Sequence, residues 1–232
     1  MLSLILALVL AEELGSLMPI SGVSMPILTE LGIVGSKFDV MVCAEMKVSD
    51  RRHLSELRVP GFGCPQQRRS NSTPGAQGMA LYVREGFRAF RQSKFECACH
   101  ESCVVRICGK VNNFYIYAFY RNPGHDGSVY DCMRGSMGQV ESIDSKAVFI
   151  FVGDANAHHL EWLESVSPTD GHGRDALGFC NLAGCEQMVR GATHIAGNRL
   201  DLVTTDAPAV VDVWLGSPLG TSDYVLSTVM TF

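Results

Sequence analysis

The sequence lacks the patterns that mark several common classes of protein. No G-x-G-x-x-G or G-x-x-x-x-G-K-S/T motif occurs, which argues against the usual dinucleotide and nucleoside-triphosphate sites. Basic residues are not in excess, because 19 Lys and Arg stand against 24 Asp and Glu for a net charge of -5. That charge has the wrong sign for a general nucleic-acid coat, although it does not exclude an enzyme whose basic residues are grouped locally. One local group, which could equally be a solvated surface, consists of Arg51, Arg52, Arg58, Arg68 and Arg69.

The nine cysteines include no C-x-x-C pair, and their odd number excludes a complete set of intramolecular disulfides. Several lie inside apolar runs, as buried free thiols do, which favours a reducing compartment. The stretch from Cys97 to Cys103 carries potential zinc ligands. They are crowded on one segment, with no second pair at zinc-finger spacing, so zinc is not the expected metal.

The N-terminal region contains no asparagine before residue 38, and its first basic residue is Lys37. Residues 1–11 are nearly all apolar, as in the core of a signal peptide, but the positively charged region that should precede them is missing. The run is also too short to span a bilayer, and no later segment has transmembrane character. We therefore predict an atypical N-terminal segment over residues 1–35, helical or irregular. We expect an intracellular protein, nuclear or cytoplasmic, without stable membrane association; secretion is the less favoured alternative.

Residues 36–232 alternate short apolar runs with turn-rich or helical stretches, as expected of one domain. The predicted strands are 38–44, 79–83, 103–107, 114–120, 147–152, 200–204, 210–214 and 225–231, and the pair 103–107 and 114–120 forms a hairpin. Helices are predicted at 51–57, 126–142 and 174–183, and a long exposed loop at 60–78. This mixture favours an α/β fold in which two packed mixed β-sheets are flanked by helices, a four-layer sandwich, over a doubly wound parallel sheet.

Polar residues stand at the ends of several predicted strands. A carboxylate in this position is held at the rim of a sheet, where a ligand can reach it, although any single one has the composition of an ordinary turn. Hard oxygen ligands of this kind suit Mg²⁺ or Mn²⁺. The residues concerned are Glu45, Asp154 with Asn156, Asp201 and Asp223.

Five short motifs, in this order over residues 38–232, resemble those of the endonuclease/exonuclease/phosphatase superfamily. They are Cys43-Ala44-Glu45, the segment Tyr117–Pro123, Gly153-Asp154-Ala155-Asn156, Asn198-Arg199-Leu200-Asp201 and Thr221-Ser222-Asp223-Tyr224. The continuation Ala157-His158-His159, with Trp162, resembles the endonuclease domains of non-LTR retrotransposons in particular. The resemblance implies the DNase I-like version of the sandwich over residues 36–232.

The same resemblance implies metal-dependent hydrolysis of DNA phosphodiester bonds by a retroelement-derived endonuclease. Glu45 and Asp223 would hold Mg²⁺ or Mn²⁺, with DNA as the substrate. Asp154 would orient or deprotonate the attacking water, and Asn156 would hydrogen-bond the phosphate or that water. Tyr120 would donate a hydrogen bond to the phosphate, and Asp201 would position the histidine of the family's S-D-H motif.

Two departures from the family pattern keep other readings open. Tyr224 stands where the family has that histidine, and a neutral phenol supplies no imidazolium charge at neutral pH. The family's opening strand carries a metal-site asparagine, which residues 1–37 lack, so the first strand is expected to be replaced and a sheet edge left uncovered. His158 or His159 could compensate, although a surface pair is the simpler expectation. The alternatives are a catalytically impaired retroelement remnant that keeps the fold, and a phosphomonoesterase of the same superfamily. No reverse-transcriptase segment follows, so we expect a stand-alone or fragmentary form.

Overall fold

The protein is represented by a computed structural model that describes residues 2–8, 38–44, 58–63, 66–68, 79–97, 100–122, 128–218 and 225–231. The strands described are β1 (Leu2–Leu8), β2 (Val40–Ala44), β3 (Gln66–Arg68), β4 (Met79–Val83), β5 (Ala89–Arg91), β6 (Glu101–Cys108), β7 (Asn113–Tyr120), β8 (Ala147–Asp154), β9 (Glu186–Gln187), β10 (Asp201–Thr205), β11 (Val211–Pro218) and β12 (Val225–Thr231). The helices described are α1 (Ser128–Glu141) and α2 (Gly171–Ala183), with short 3₁₀ helices at Ser93–Phe95 and Pro208–Val210.

These strands form two six-stranded sheets. The first sheet has the order β11-β12-β1-β2-β4-β3, and the second has the order β5-β6-β7-β8-β10-β9. Each sheet contains one parallel pair, β1 with β2 and β7 with β8, and the other neighbours run antiparallel. Both sheets are therefore mixed, as the sequence predicts.

The two sheets pack face to face around one apolar core. β2 lies against β7 and β8 of the opposite sheet. Alternate residues of each strand point into this core, because successive side chains of a strand lie on opposite faces. The first sheet contributes Val40, Val42 and Leu81, and the second contributes Ile116 and Val152, all at most 1% exposed.

Both described helices cover the outer face of the second sheet. In α1, Val129, Met133, Met137 and Val140 recur at helical spacing and pack on aromatic rings of β7 and β8. α2 begins after Asp170, whose carboxylate accepts a hydrogen bond from the Gly173 amide, and ends at Gly184. These observations confirm the α/β sandwich. Within the described residues, its helices form a layer on the outer face of the second sheet.

Most predicted strands and helices are present, and the 103–107 and 114–120 pair is the antiparallel hairpin β6–β7. The predicted helix at 51–57 lies outside the described residues. So do residues 9–37, which include most of the predicted N-terminal segment. The division of the chain at residues 35 and 36 therefore stays a prediction. Among the described helices, none is long and apolar enough to cross a membrane.

Two of the predictions are wrong. Leu2–Leu8 is neither helical nor irregular: it forms β1, between β12 and β2, so the expected uncovered edge is filled by a strand. Gln66–Arg68, predicted as part of a long loop, pairs with β4. Their sequences mislead because a leucine-rich run has no strand-specific period, and because Gln-Gln-Arg has no strand propensity of its own and is paired by its neighbour.

Candidate active site

Four polar residues stand in one row across the second sheet. Glu101 begins β6, Tyr120 ends β7, Asp154 ends β8 and Asp201 begins β10. The register pairs Glu101 with Tyr120, Tyr120 with Asp154, and Asp154 with Asp201. All four are buried, with at most 4% exposure. The sequence predicts three members of this row, and the structure brings them together; Glu101 was missed.

The row lies on the face of the second sheet that is turned toward the first. Residues two positions further along the same strands, Cys103, Ala118, Val152 and Val203, belong to the core between the sheets. Because the side-chain period of a strand is two, the polar row points in the same direction at the end of that core. The apolar interior between the sheets therefore ends in a line of carboxylates and a phenol.

A close contact between β7 and β8 fixes the Gly153-Asp154 motif. A Cβ atom on residue 153 would lie 1.8 Å from the carbonyl oxygen of Phe119, a separation that no side chain can adopt. Only glycine lets the two parallel strands come this close just before they end. The glycine of the motif thus sets the position of Asp154 relative to Tyr120.

The turn after β8 holds Asn156 in a defined orientation. Its backbone is in the left-handed region, with φ of 44°, which asparagine tolerates better than most residues. The Asn156 amide donates to Oδ1 of Asp154 at 2.8 Å, and the Asn156 side-chain Nδ2 donates to the Arg121 carbonyl at 3.0 Å. The two polar residues of the motif therefore belong to one hydrogen-bonded turn.

Arg121 joins this turn to the end of β7. Its backbone amide donates to the Asp154 carbonyl at 3.0 Å, and its guanidinium group, in a residue that is 1% exposed, donates to the carbonyls of Ala155 and Asn156. A third contact reaches the Asn122 carbonyl at 3.2 Å. Sequence reasoning missed this residue, although an arginine directly after the site tyrosine was a signal.

Thr193 positions the start of β10. Its hydroxyl oxygen accepts hydrogen bonds from the amides of Leu200 and Asp201, both at 3.0 Å, and the residue is fully buried. The Leu200 carbonyl in turn accepts from the Ala155 amide at 2.9 Å. Asp201 is therefore connected by backbone contacts to the turn that carries Asn156. Nothing in the sequence around Thr193 predicts this role.

The histidine pair shapes the turn that leads to α2. The His158 amide donates to the Asp170 carboxylate at 3.3 Å, and His159 Nδ1 accepts from the Trp162 amide at 3.1 Å. Both histidines are partly buried, and the ring of His159 stands edge-on to that of Trp162. The structure thus gives this pair a local role in the turn.

The predicted metal ligands Glu45 and Asp223, and Tyr224, lie outside the described residues. Their neighbours in sequence are described: Ala44 ends β2, and Val225 begins β12. β2 and β12 flank β1 in the first sheet, and β2 packs against β7 and β8. The described strands nearest to these residues in sequence therefore lie on either side of β1.

Solved structures share this architecture over nearly the whole chain. The endonuclease domain of TRAS1, a telomere-specific non-LTR retrotransposon, is 15% identical, with a TM-score of 0.70 over 99% of this chain and 97% of that one. An AP endonuclease from Leishmania major is 13% identical, with a TM-score of 0.76 over 100% of this chain and 88% of that one. A 3′ phosphatase from Neisseria, bound to a product DNA hairpin, is 12% identical, with a TM-score of 0.66 over 100% of both chains. At these identities the likeness establishes the fold.

A family model gives a closer assignment. No curated protein matches the sequence significantly. The model described as the endonuclease/exonuclease/phosphatase family matches residues 7–225, which include every motif quoted above. The chain therefore belongs to the endonuclease/exonuclease/phosphatase family.

Proposed function

We propose that this protein hydrolyses phosphodiester bonds in DNA with the help of a divalent metal ion. The observation that carries the proposal is the row Tyr120, Asp154 and Asp201, with Asn156 held beside it. Folding alone does not favour burying two carboxylates in neighbouring positions at the end of an apolar core, because each loses its hydration there. A site for a cationic group and a phosphate gives these residues a reason to be together.

Asp154 and Asn156 are the groups best arranged to act on the attacking water. The Asn156 amide holds one carboxylate oxygen of Asp154 in place, and Arg121 holds the turn from beneath. A carboxylate fixed in this way needs little reorganisation when it orients a water molecule or accepts its proton. The side-chain amide of Asn156, a half-buried residue, is suited to hydrogen-bond the phosphate or the same water.

Tyr120 and Asp201 flank Asp154 on neighbouring strands. The Tyr120 phenol is a hydrogen-bond donor for a phosphate oxygen. Asp201, fixed by Thr193, would orient the residue at position 224. Here that residue is Tyr224, which donates a single hydrogen bond but carries no positive charge at neutral pH.

Mg²⁺ or Mn²⁺ fits the oxygen ligands that the chain offers. Glu45 and Asp223 would hold the ion, and both are hard carboxylate ligands of the kind these cations prefer. When bound, the ion supplies charge neutralisation for the phosphate and polarises its oxygen. A bound cation would also offset the repulsion between these carboxylates and an anionic DNA backbone.

DNA is the proposed substrate, and a non-LTR retroelement the proposed origin, because the TRAS1 domain and the Leishmania AP endonuclease share this fold over most of their length. The Ala-His-His motif after Asn156 supports the same origin. A second candidate is removal of a terminal phosphate from DNA, which the likeness to the Neisseria 3′ phosphatase favours. Both reactions would use the same residues and the same metal ion.

The decisive experiment is nicking of supercoiled plasmid by the purified chain with Mg²⁺, Mn²⁺ or a chelator. Asp154→Asn should lower the nicking rate by on the order of 10²–10⁴, the usual effect of removing a group that handles a proton. Asp131→Asn is the matched control, because that side chain is 80% exposed on α1. Equal nicking by the natural chain and Asp154→Asn would reject the assigned site.

Position 224 separates an active enzyme from an impaired one. Tyr224→His restores the family histidine and should raise the nicking rate by on the order of 10²-fold. A DNA hairpin with a 3′ phosphate, assayed in parallel, separates the phosphatase from the endonuclease. If neither the natural chain nor folded Tyr224→His acts on either substrate, the protein is a remnant that keeps only the fold.

A further inference from the structure

Two cysteines and a histidine from separate elements meet near the start of β6. Cys97 and His100 precede this strand, and Cys132 lies in the second turn of α1. One potential ligand atom from each of the three lies within 4.8 Å of the others. Cys97 and Cys132 are 35 residues apart in sequence and are joined as a disulfide in this structure, with their Cα atoms 5.9 Å apart.

The surrounding structure holds this cluster in place. The Cys97 amide donates to the Ser102 hydroxyl at 3.0 Å, and the Ser136 hydroxyl of α1 donates to the Phe95 carbonyl at 2.6 Å. The Tyr117 hydroxyl lies 3.4 Å from Nε2 of His100. These hydrogen bonds orient Cys97 and the imidazole ring of His100 before any ion binds. Hydrogen bonds to the ligating residues do the same in known metal sites.

Thiolate and imidazole together form the donor set of zinc sites. With Zn–S bonds of about 2.3 Å and Zn–N bonds of about 2.0 Å, the ligand atoms of a tetrahedral site lie roughly 3.5–3.8 Å apart. The three atoms of this cluster can reach that spacing through shifts of about 1 Å once the sulfur–sulfur bond is reduced. Soft ligands of this type do not suit Mg²⁺.

Two of the three ligand residues are largely buried, which slows the exchange of a bound ion with solvent. Cys97 is 7% exposed and His100 is 8% exposed. Two other thiols are poor competitors for zinc, because burial raises the pKa of Cys43 and of Cys180 to about 12 and keeps both protonated. Neither has a histidine or second cysteine in a metal-binding group among the described residues.

We propose that the protein, after an external thiol reductant has converted the Cys97–Cys132 disulfide into two thiols, holds one Zn²⁺ ion between Cys97, His100 and Cys132, and that this ion and the disulfide are alternative states of one cluster. Binding releases a proton to solvent from each of the two thiols, and the fourth coordination position is open to water. The ion ties the segment before β6 to α1. Because His100 directly precedes Glu101, the ion would also fix the start of β6, where the polar row begins.

The test begins with the full chain, kept reduced, loaded with Zn²⁺ and freed of excess metal. We expect one zinc per chain by elemental analysis, with loss of zinc in Cys132→Ser and His100→Gln. Cys108→Ser is the matched control, because Cys108 is a free, partly buried cysteine at the end of β6 and lies outside the cluster. Asp154→Asn should also keep its zinc, which separates this site from the proposed catalytic one.

Substituting Co²⁺ for Zn²⁺ gives a second test, which needs no variant. Co²⁺ at this site should show thiolate-to-metal charge transfer and the intense visible bands of a tetrahedral ion, which carboxylate ligands do not produce. Zinc should also raise the thermal midpoint of the reduced natural chain but not that of His100→Gln. Absence of zinc from the reduced chain, cobalt spectra without thiolate charge transfer, or full zinc content in His100→Gln would each overturn the proposal.

Discussion

Replacing Arg121 by methionine tests whether the turn carrying Asp154 and Asn156 depends on a buried guanidinium group. Methionine keeps much of the length and apolar volume of the side chain but cannot donate hydrogen bonds. The carbonyls of Ala155 and Asn156 would then lose their charged donor. The Asn122 carbonyl is partly exposed, so water can replace its contact.

The magnitude follows from the two carbonyls that lose their charged donor, because the Ala155 contact is buried and the Asn156 contact is half-buried. A buried polar group without its partner costs roughly 1–3 kcal/mol and a half-buried one costs less, so the pair gives about 2–5 kcal/mol. Removing a buried charge offsets part of this, because the guanidinium no longer has to be desolvated. We expect Arg121→Met to lower the free energy of unfolding by about 3 kcal/mol, which a domain of this size tolerates while remaining folded.

Urea unfolding of the natural chain and two variants measures the effect. Arg190→Met is the control, since Arg190 is 67% exposed and its ion pair with Glu186 is a surface one, worth at most about 1 kcal/mol. If Arg121→Met unfolds at the same urea concentration as Arg190→Met, the guanidinium does not stabilise the turn. The nicking rate of Arg121→Met should fall together with its stability, because the Asn156 carbonyl loses the hydrogen bond from the guanidinium group.

Two further substitutions test local features of the fold. Gly153→Ala should lower the free energy of unfolding by about 3 kcal/mol or more, because its Cβ would lie 1.8 Å from a backbone oxygen. Gly138→Ala is the control: this residue of α1 faces open space, so the substitution should raise the free energy of unfolding by about 0.5–1 kcal/mol. Equal urea midpoints for the two variants would contradict the close contact at Gly153. Burial raises the pKa of Asp144, but hydrogen bonds from Asn113, the residue 146 amide and Tyr115 outweigh it and leave this pKa below its usual value. The carboxylate therefore stabilises the fold above about pH 4, and this contribution is lost as the pH falls through the lowered pKa. Asp144→Ala should lose about 1 kcal/mol at pH 7 and much less at pH 3 in urea unfolding, and a loss independent of pH would refute the assignment.

Short-range patterns in the sequence were enough to predict much of the fold. The continuous apolar run of β8 and the helical spacing of α1 depend on neighbours in sequence, and both elements appear where predicted. Tyr120, Asp154 and Asp201 were assigned to one site through the motifs of the family resemblance, and their alignment on neighbouring strands was seen only in the structure. β1 was missed because its assignment depends on pairing with β12, more than two hundred residues away, and no local period records such pairing.

Residues that act through distant partners were also beyond the reach of sequence reasoning. Thr193 positions Asp201 from a loop with no regular pattern. Cys132 reaches Cys97 only because α1 packs beside the segment before β6. In each case the chemistry was visible in the residue type, but its partner was set by packing of the second sheet and its helices. The sequence argued against zinc because the candidate ligands were crowded on residues 97–103. The structure supplies a further ligand, Cys132, from α1.

The position of β1 makes the first sheet depend on a contact between strands that are far apart in sequence. Leu2 lies opposite Thr231, and β1 separates β12 from β2. A ribosome makes β1 before the other described strands of its sheet, and its antiparallel neighbour β12 follows more than two hundred residues later. The first sheet therefore cannot close until β12 has been made. A circular permutant joining residue 231 to residue 2 through a short turn would convert this most distant strand pair into a hairpin, and so remove the slowest loop closure from the folding of the sheet.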